Sequence, residues 1–257
     1  MSEQHQKSLD AFQRLLNIME DLREKCPWDR KQTIHSLRTL TIEETYELSD
    51  AILQENWEDI EGELGDLFLH LVFYAKIGEE QKQTDVAQIL DRICEKLIHR
   101  HPHIYSDVEV ADEEDVKKNW EKLKLKEGRK SVLEGVPQSL PAMVKAYRMQ
   151  EKAKGVGFEF DTQEDVWAKV QEELQEFASE TQAETREAEF GDVLFALINY
   201  ARFTGINPED ALEKTNIKFK RRFQAMESLA EQQHLDFTSL SLAEQDQLWN
   251  TVKQQEK

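Results

Sequence analysis

Glycine and proline are scarce in this chain, with 9 and 5 residues among 257. Average usage, near ~7% glycine and ~5% proline, would give about twice as many. So few turn-forming residues favour long helices and disfavour a β-sandwich, which needs a turn after every short strand. Hydrophobic residues still make up 39% of the chain, which is enough for a buried core and too much for a wholly disordered chain.

Cysteine and positive charge are also in short supply. The two cysteines, Cys26 and Cys94, form no CxxC pair, which excludes a disulfide framework and suits a reducing compartment. Lysine and arginine number 33 against 52 acidic residues, for a formal net charge of -19. This charge argues against a general binder of nucleic-acid polymers or anionic membranes, because phosphate backbones need clustered cations. An anionic small substrate would need a metal ion or a local basic pocket.

Long hydrophobic runs are missing as well. The most apolar stretch, residues 67–75, contains His70 and is far too short to span a bilayer. The first seven residues include no apolar segment of the kind found in signal peptides. We therefore expect a cytoplasmic protein without a membrane span.

Apolar residues recur at helical spacing along almost the whole chain, beginning with a face formed by residues 9–22. No segment alternates with period two for long enough to predict a strand, so the predicted fold class is all-α. Capping and breaker signals predict further helices from Thr41, over about 57–77 with a stop at Gly78, over 85–100, from 139, over 164–180, 184–204 and 208–232, and from Ser241 onwards. Residues 112–126 are predicted to be a helix or a linker.

The chain contains an internal repeat of two acidic helices followed by a basic segment. The first two matches are offset by 129 and 126 residues and the basic segments by 122. The matched segments are 42–48 with 171–177, 62–68 with 188–194, and 96–100 with 218–222. We predict two tandem helical-bundle domains, 1–130 and 131–257, with the boundary in a segment that contains Gly128, Gly135 and Pro137.

Each half carries four acidic residues in two pairs spaced i and i+3, which share one helix face. If each half folds its two acidic helices against each other, the four carboxylates converge, and they cannot all stay ionised without cations. Mg²⁺ suits such oxygen ligands, and a pair of ions can bind the attacking and leaving oxygens of a phosphoryl displacement. The two sets are Glu44, Glu47, Glu63 and Asp66 in the first half, and Glu173, Glu176, Glu189 and Asp192 in the second.

An ordinary solvated helix face is the alternative interpretation of these acids. A lone ExxE in an acidic protein usually has no ligand, and Thr41 would give Glu44 a capping role that needs no metal. Asp66 and Asp192, however, adjoin apolar runs, where an acid is costly unless it is paired or ligated. Recurrence of the whole set in both halves favours a metal site.

The duplicated acidic pair resembles the MazG family of nucleoside triphosphate pyrophosphohydrolases, within the all-α NTP pyrophosphatase superfamily. Three further segments resemble the same family: Cys26-Pro27-Trp28-Asp29, Arg100-His101-Pro102-His103 and Val156-Gly157-Phe158. The resemblance covers nearly the whole chain. The resemblance implies two MazG-like domains and hydrolysis of NTPs or dNTPs between the α- and β-phosphates, giving NMP and pyrophosphate. It also implies Mg²⁺ or Mn²⁺ as cofactor and a homodimer of helical bundles.

The resemblance further implies a role for individual residues, with catalysis in the C-terminal half. It makes Glu172 the residue that orients or deprotonates the attacking water. The implied metal ligands are Glu173, Glu176, Glu189 and Asp192, and the implied substrate contacts are Lys124, Lys169, Lys218, Arg222, Trp249 and Lys253. The alternatives are an exposed basic face for residues 218–222 and a core position for Trp249. The set Glu44, Glu47, Glu63 and Asp66 is interpreted as a second metal site.

Two other functions are weighed against hydrolysis. One is a non-catalytic helical dimer that binds nucleotide or a protein partner, which the strong charge and exposed helices permit. The other is a ferritin-like di-metal oxidoreductase, which is disfavoured because those bundles use Glu-x-x-His motifs and the i+3 partners here are Glu or Asp. The preference for base and sugar cannot be read from these motifs.

Overall fold

A computed structural model describes residues 2–106, 108, 110, 112, 115, 116, 119, 120 and 131–256. None of these residues lies in a strand, and the all-α prediction is confirmed. Two short 3₁₀ turns, at Asp29–Lys31 and Phe237–Ser239, accompany the α-helices. In chain order the helices are α1 Glu3–Lys25, α2 Ile34–Leu53, α3 Trp57–Glu80, α4 Val86–Arg100, α5 Pro102–Tyr105, α6 Ala142–Lys154, α7 Gln163–Ser179, α8 Ala183–Phe203, α9 Pro208–Gln232 and α10 Leu242–Gln255.

The chain divides into two compact units, Met1–Glu109 and Val110–Lys257. The domain boundary predicted from sequence, between residues 130 and 131, borders a segment, 121–130, that lies outside the described residues. It therefore stays a prediction. Most of the predicted helix or linker at 112–126 lies outside them as well.

The first unit is built on a hairpin of α2 and α3, joined by residues 54–56, with α1 and α4 packed against α3. Its core contains Met19, Leu37, Val72, Phe73 and Ile77. The apolar face predicted for residues 9–22 is confirmed, because Met19 is buried and neighbouring apolar residues of α1 pack against the same core.

The second helix starts earlier than its sequence suggests. Thr33 is its N-cap, and the Thr33 and Ser36 side chains form a reciprocal capping box. Thr41 lies in mid-helix, where its hydroxyl donates to the Leu37 carbonyl at 2.9 Å. The predicted start at Thr41 is wrong, and Glu44 has no capping role that would occupy its carboxylate.

Gly78 does not end the third helix, contrary to the prediction, because α3 continues to Glu80. A Cβ atom at this buried glycine would lie 2.7 Å from the Thr84 methyl carbon. Glycine is required here because the chain after α3 passes close to the helix, and not because the helix stops.

The second unit repeats the hairpin with α7 and α8, joined by residues 180–182. Helix α6 packs on α8, and α9 contacts α6, α8 and α10. The capping box predicted at Ser241 and Glu244 is confirmed at the start of α10. In the described parts of both units, no helix is long and apolar enough to cross a membrane.

Candidate active site

Three carboxylates of the second unit converge between α7 and α8. Glu173 and Glu176 lie one turn apart on α7, and Glu189 faces them from α8; one carboxylate oxygen of each lies within 4.8 Å of the others. Glu173 is only 7% exposed, which is rare for an acid unless it is paired or ligated. Asp192, one turn after Glu189, is exposed and lies beside Glu173 in the wall of a cavity. We name these four acids the C-terminal cluster.

The C-terminal cluster is electrostatically strained without a cation. Burial raises the pKa of the Glu189 carboxyl, and the charges of Glu176, Asp192 and Glu173 raise it further. Carboxylate oxygens at this separation are the donors preferred by hard divalent ions such as Mg²⁺ and Mn²⁺. The donor set therefore fits such an ion.

Lys169 lies one turn before the cluster on α7 and contacts it directly. Its ammonium group is 2.7 Å from a carboxylate oxygen of Glu172 and 2.7 Å from one of Glu173. These hydrogen bonds raise the pKa of Lys169, so it stays charged. The Lys169 ammonium group thus bridges Glu172, which is expected to act on the attacking water, and Glu173, which is expected to bind metal.

A second group of acids occupies the same place in the first unit. Carboxylate oxygens of Glu44, Glu63 and Asp66 lie within 4.8 Å of one another between α2 and α3, and we name this group, with Glu47, the N-terminal cluster. Burial raises the pKa of Glu44 to about 7, with further contributions from Asp66, Glu47 and Glu63. The repeat places Leu40, which packs against the core, at the position of Lys169.

The titration of Glu44 predicts a pH-dependent stability. Folding raises the pKa of Glu44. The protonated carboxyl therefore stabilises the folded state fully below the pKa of an unfolded glutamate, and this stabilisation is lost as the pH rises through about 7. In chelator, we expect the melting temperature of the first unit to fall between about pH 5 and pH 8. Glu44→Gln, which is neutral throughout, should flatten this dependence in calorimetric melts. An unchanged slope in the variant would show that Glu44 does not titrate in this range.

The residues expected to bind substrate lie in several places. Arg222 on α9 pairs with Glu256 and lies over the Trp249 ring at 5.7 Å, and Trp249 also packs on Phe219 at 5.5 Å. Trp249 is half-buried beside the α9–α10 core, so its ring has both a packing role and an accessible part. Lys218 and Lys253 are exposed on α9 and α10. Lys124 lies outside the described residues.

A cavity of about 550 Å³, which we name the α6–α8 cavity, adjoins the C-terminal cluster. Sequence reasoning did not identify four of its polar residues, which are Gln150, Asn199 and an ion pair between Arg202 and Glu159 at 2.7 Å. The available signal was Asn199, which interrupts the apolar run of α8. The residues that line the cavity are Leu133, Met149, Gln150, Ala153, Gly157, Phe158, Glu159, Phe160, Lys169, Glu173, Asp192, Phe195, Ala196, Asn199 and Arg202.

Comparison with known proteins agrees with this geometry. The model of the MazG nucleotide pyrophosphohydrolase domain matches residues 32–105 and 161–226, segments that contain both acidic clusters. The chain is 39% identical to the nucleoside triphosphate pyrophosphohydrolase of Escherichia coli (strain K12) over 261 residues, covering 96% of this chain and 99% of the relative.

Two further relatives cover the chain almost completely. The nucleoside triphosphate pyrophosphohydrolase/pyrophosphatase MazG of Thermotoga maritima is 40% identical over 247 residues, covering 94% of this chain and 95% of the relative. The uncharacterized protein YabN of Bacillus subtilis (strain 168) is 44% identical over 255 residues, covering 96% of this chain and 52% of the relative.

Fold, acidic clusters and relatives together define an all-α hydrolase that acts on acid anhydrides. The chain belongs to the MazG family of nucleotide pyrophosphohydrolases.

Proposed function

We propose that this protein hydrolyses nucleoside triphosphates and their deoxy forms between the α- and β-phosphates, with Mg²⁺, to give a nucleoside monophosphate and pyrophosphate. The observation that carries the proposal is the convergence of the Glu173, Glu176 and Glu189 carboxylates within 4.8 Å. An acidic cluster repels a triphosphate unless divalent cations lie between the two, and the family relationship supplies the substrate class.

In this proposal the four acids of the C-terminal cluster would hold the divalent ion, which would supply positive charge to the phosphate oxygens. Glu172 precedes Glu173, is exposed, and can accept a proton from the attacking water. Lys169 fixes one Glu172 oxygen at 2.7 Å and can turn towards a phosphate. Arg222 is already oriented by Glu256, so binding phosphate costs it less side-chain entropy.

Lys218 adds a second positive charge on α9, four residues before Arg222 on the same face. Trp249 can contact the base or ribose, and Lys253 the phosphates, from α10. Lys124 remains a proposed substrate contact on the family resemblance alone. Of these proposed contacts, the three on α9 and α10, all except Lys124, follow the acidic hairpin in the chain.

We assign catalysis to the C-terminal cluster and a second metal site to the N-terminal cluster. The difference is in the supporting residues. Lys169 contacts two acids of the second unit, whereas the repeat places Leu40 there in the first. The α6–α8 cavity also adjoins the C-terminal cluster, which leaves room for the rest of a nucleotide.

We propose that the protein acts as a homodimer. Leu174, Phe190, Leu194 and Leu197 on the α7–α8 hairpin are each at least 40% exposed. Apolar side chains grouped on one hairpin are typical of an interaction surface. Sedimentation that returns only the 30.1 kDa monomer at micromolar concentration would exclude the dimer.

Isotope labelling tests the bond that is cleaved. Hydrolysis in H₂¹⁸O should give pyrophosphate and NMP, with the ¹⁸O label in the NMP, because water attacks the α-phosphorus. Mass spectrometry of both products measures this. Label in the pyrophosphate would place the attack on the β-phosphorus, and release of orthophosphate with NDP would contradict the proposed reaction.

A further inference from the structure

The α6–α8 cavity has a shape and a set of polar groups that the phosphate chemistry does not use. We infer that it binds the base of the substrate nucleotide and that Gln150 and Glu159 select bases that carry an exocyclic amino group. This inference rests on the proposed function and adds to it a base preference that the sequence motifs do not give.

The cavity is continuous with the acids. Lys169, Glu173 and Asp192 belong to its lining, so a nucleotide whose phosphates lie at the C-terminal cluster can place its base inside. Its volume of about 550 Å³ is typical of a small-molecule site. Phe158 at 83% exposure, together with Phe160 and Phe195, supplies aromatic rings on which a base can stack.

Gln150 supplies a buried acceptor. Its side chain is on α6, is only 7% exposed and lines the cavity. The amide nitrogen donates to the Phe195 carbonyl at 2.9 Å, whereas the buried amide oxygen has no hydrogen-bond partner within the described structure. Such an orphaned acceptor is costly unless a ligand or water donates to it.

Glu159 supplies a second acceptor on the same cavity. One of its carboxylate oxygens accepts from Arg202 at 2.7 Å. The other is buried and unpartnered among the residues that the structure describes. Because Arg202 is itself buried, its charge keeps Glu159 ionised and lowers the pKa of that carboxyl, against the effect of burial.

The internal repeat shows one difference between the two units at the wall of this cavity. Residues 192–202 align without a gap to 66–76, with Tyr200 opposite Tyr74. Asn199 lines the cavity, but its counterpart Phe73 is 2% exposed in the core of the first unit. A buried aromatic ring, Phe73, thus occupies in the first unit the position that the polar Asn199 occupies in the second.

The free Gln150 and Glu159 oxygens are both hydrogen-bond acceptors, so they favour a base that offers hydrogen-bond donors. Adenine, cytosine and guanine each carry an exocyclic amino group, whereas uracil and thymine present carbonyl oxygens at the corresponding positions. A site built around buried hydrogen-bonding groups discriminates against an analogue that leaves them unpaired. With the base in the cavity, the Trp249 ring is left to contact the ribose.

The test compares steady-state pyrophosphate release from ATP, GTP, CTP, UTP and ribose 5-triphosphate by the full chain. We expect kcat/KM for the amino-bearing nucleotides to exceed that for UTP by about tenfold, the effect of one satisfied hydrogen bond. Gln150→Met should remove most of this preference by raising KM for the amino-bearing nucleotides. Asn199→Phe should raise KM for all four nucleotides towards that of ribose 5-triphosphate. Gln175→Met, at an exposed position on α7, is the matched control and should behave as wild type.

Failure of the base-binding inference and failure of the proposed reaction would give different results. Equal kcat/KM for ribose 5-triphosphate and the nucleotides in wild type, or an unchanged base preference in Gln150→Met, would overturn the inference while the proposed reaction stands. If wild type released no pyrophosphate, the proposed function would fail. Calorimetric binding of α,β-methylene ATP and UTP to the Gln150→Met and wild-type proteins would then still decide whether the cavity reads the base. Melting curves show whether Asn199→Phe folds, and Gln150→Met carries the test if it does not.

Discussion

Glu173→Gln is expected to lower pyrophosphate release by about 10²–10³-fold, the usual loss when one preorganised charge-stabilising group is removed. Glutamine preserves the shape of a side chain that is only 7% exposed, so the fold should be kept. It removes the negative charge of a proposed metal ligand and the ion pair to Lys169. The measurement is kcat at saturating Mg²⁺ and nucleotide.

Glu44→Gln is the matched control, because the repeat places Glu44 at the position of Glu173. We expect it to keep kcat within about twofold of wild type, since the N-terminal cluster has no lysine at the position of Lys169. Equal losses in both variants would mean that both units catalyse. Full activity in Glu173→Gln, with an unchanged melting temperature, would remove the C-terminal cluster from the mechanism.

Removal of divalent ions should abolish turnover, and this is the second large effect that we expect. Chelation leaves the four acids of the C-terminal cluster uncompensated, so they repel the triphosphate instead of binding it. Restoring Mg²⁺ should restore activity, and Mn²⁺ should also support it. Because the pKa of Glu189 is raised, protons compete with the ion, and more Mg²⁺ should be needed as the pH falls.

The control for chelation is a measurement of whether the protein stays folded without divalent ions. Circular dichroism should show that helix content survives in chelator, since apolar side chains form the cores of both units. Undiminished pyrophosphate release in chelator, after dialysis against metal-free buffer, would contradict metal dependence. Unfolding in chelator would instead assign the ions a structural role.

Much of the fold could be predicted because helix signals are local. Ser241 with Glu244 marks the start of α10, and Asn207 before Pro208 marks the start of α9. The Thr41 prediction was wrong because two capping signals compete along one segment, and the earlier one, at Thr33, starts the helix. Helix propensity alone does not decide between them.

The candidate site could be predicted in part for the same reason. The spacing of i and i+3 placed Glu173 and Glu176 on one face, and the repeat suggested that α7 and α8 pack together. Pairing α7 with α8 in one hairpin then brings the carboxylates of Glu173, Glu176 and Glu189 together. The metal ligands, the residues that contact substrate and the acting half remain predictions.

The α6–α8 cavity could not be predicted because a cavity depends on which side chains fail to fill a space. Gln150, Glu159 and Asn199 come from three separate segments, and no local motif joins them. Besides the polar Asn199 in an apolar run, the one signal of it is the residue-by-residue comparison of the repeats, with Asn199 opposite Phe73. That comparison has meaning only once the burial of Phe73 is known.

Anomalous scattering from crystals grown with Mn²⁺ and an α,β-methylene nucleoside triphosphate would test the central claim most directly. We expect a manganese peak about 2.0–2.2 Å from carboxylate oxygens of Glu173, Glu176 and Glu189, with phosphate oxygens of the analogue on the same ion. Density for the analogue bound elsewhere, with no manganese at these three carboxylates, would contradict it.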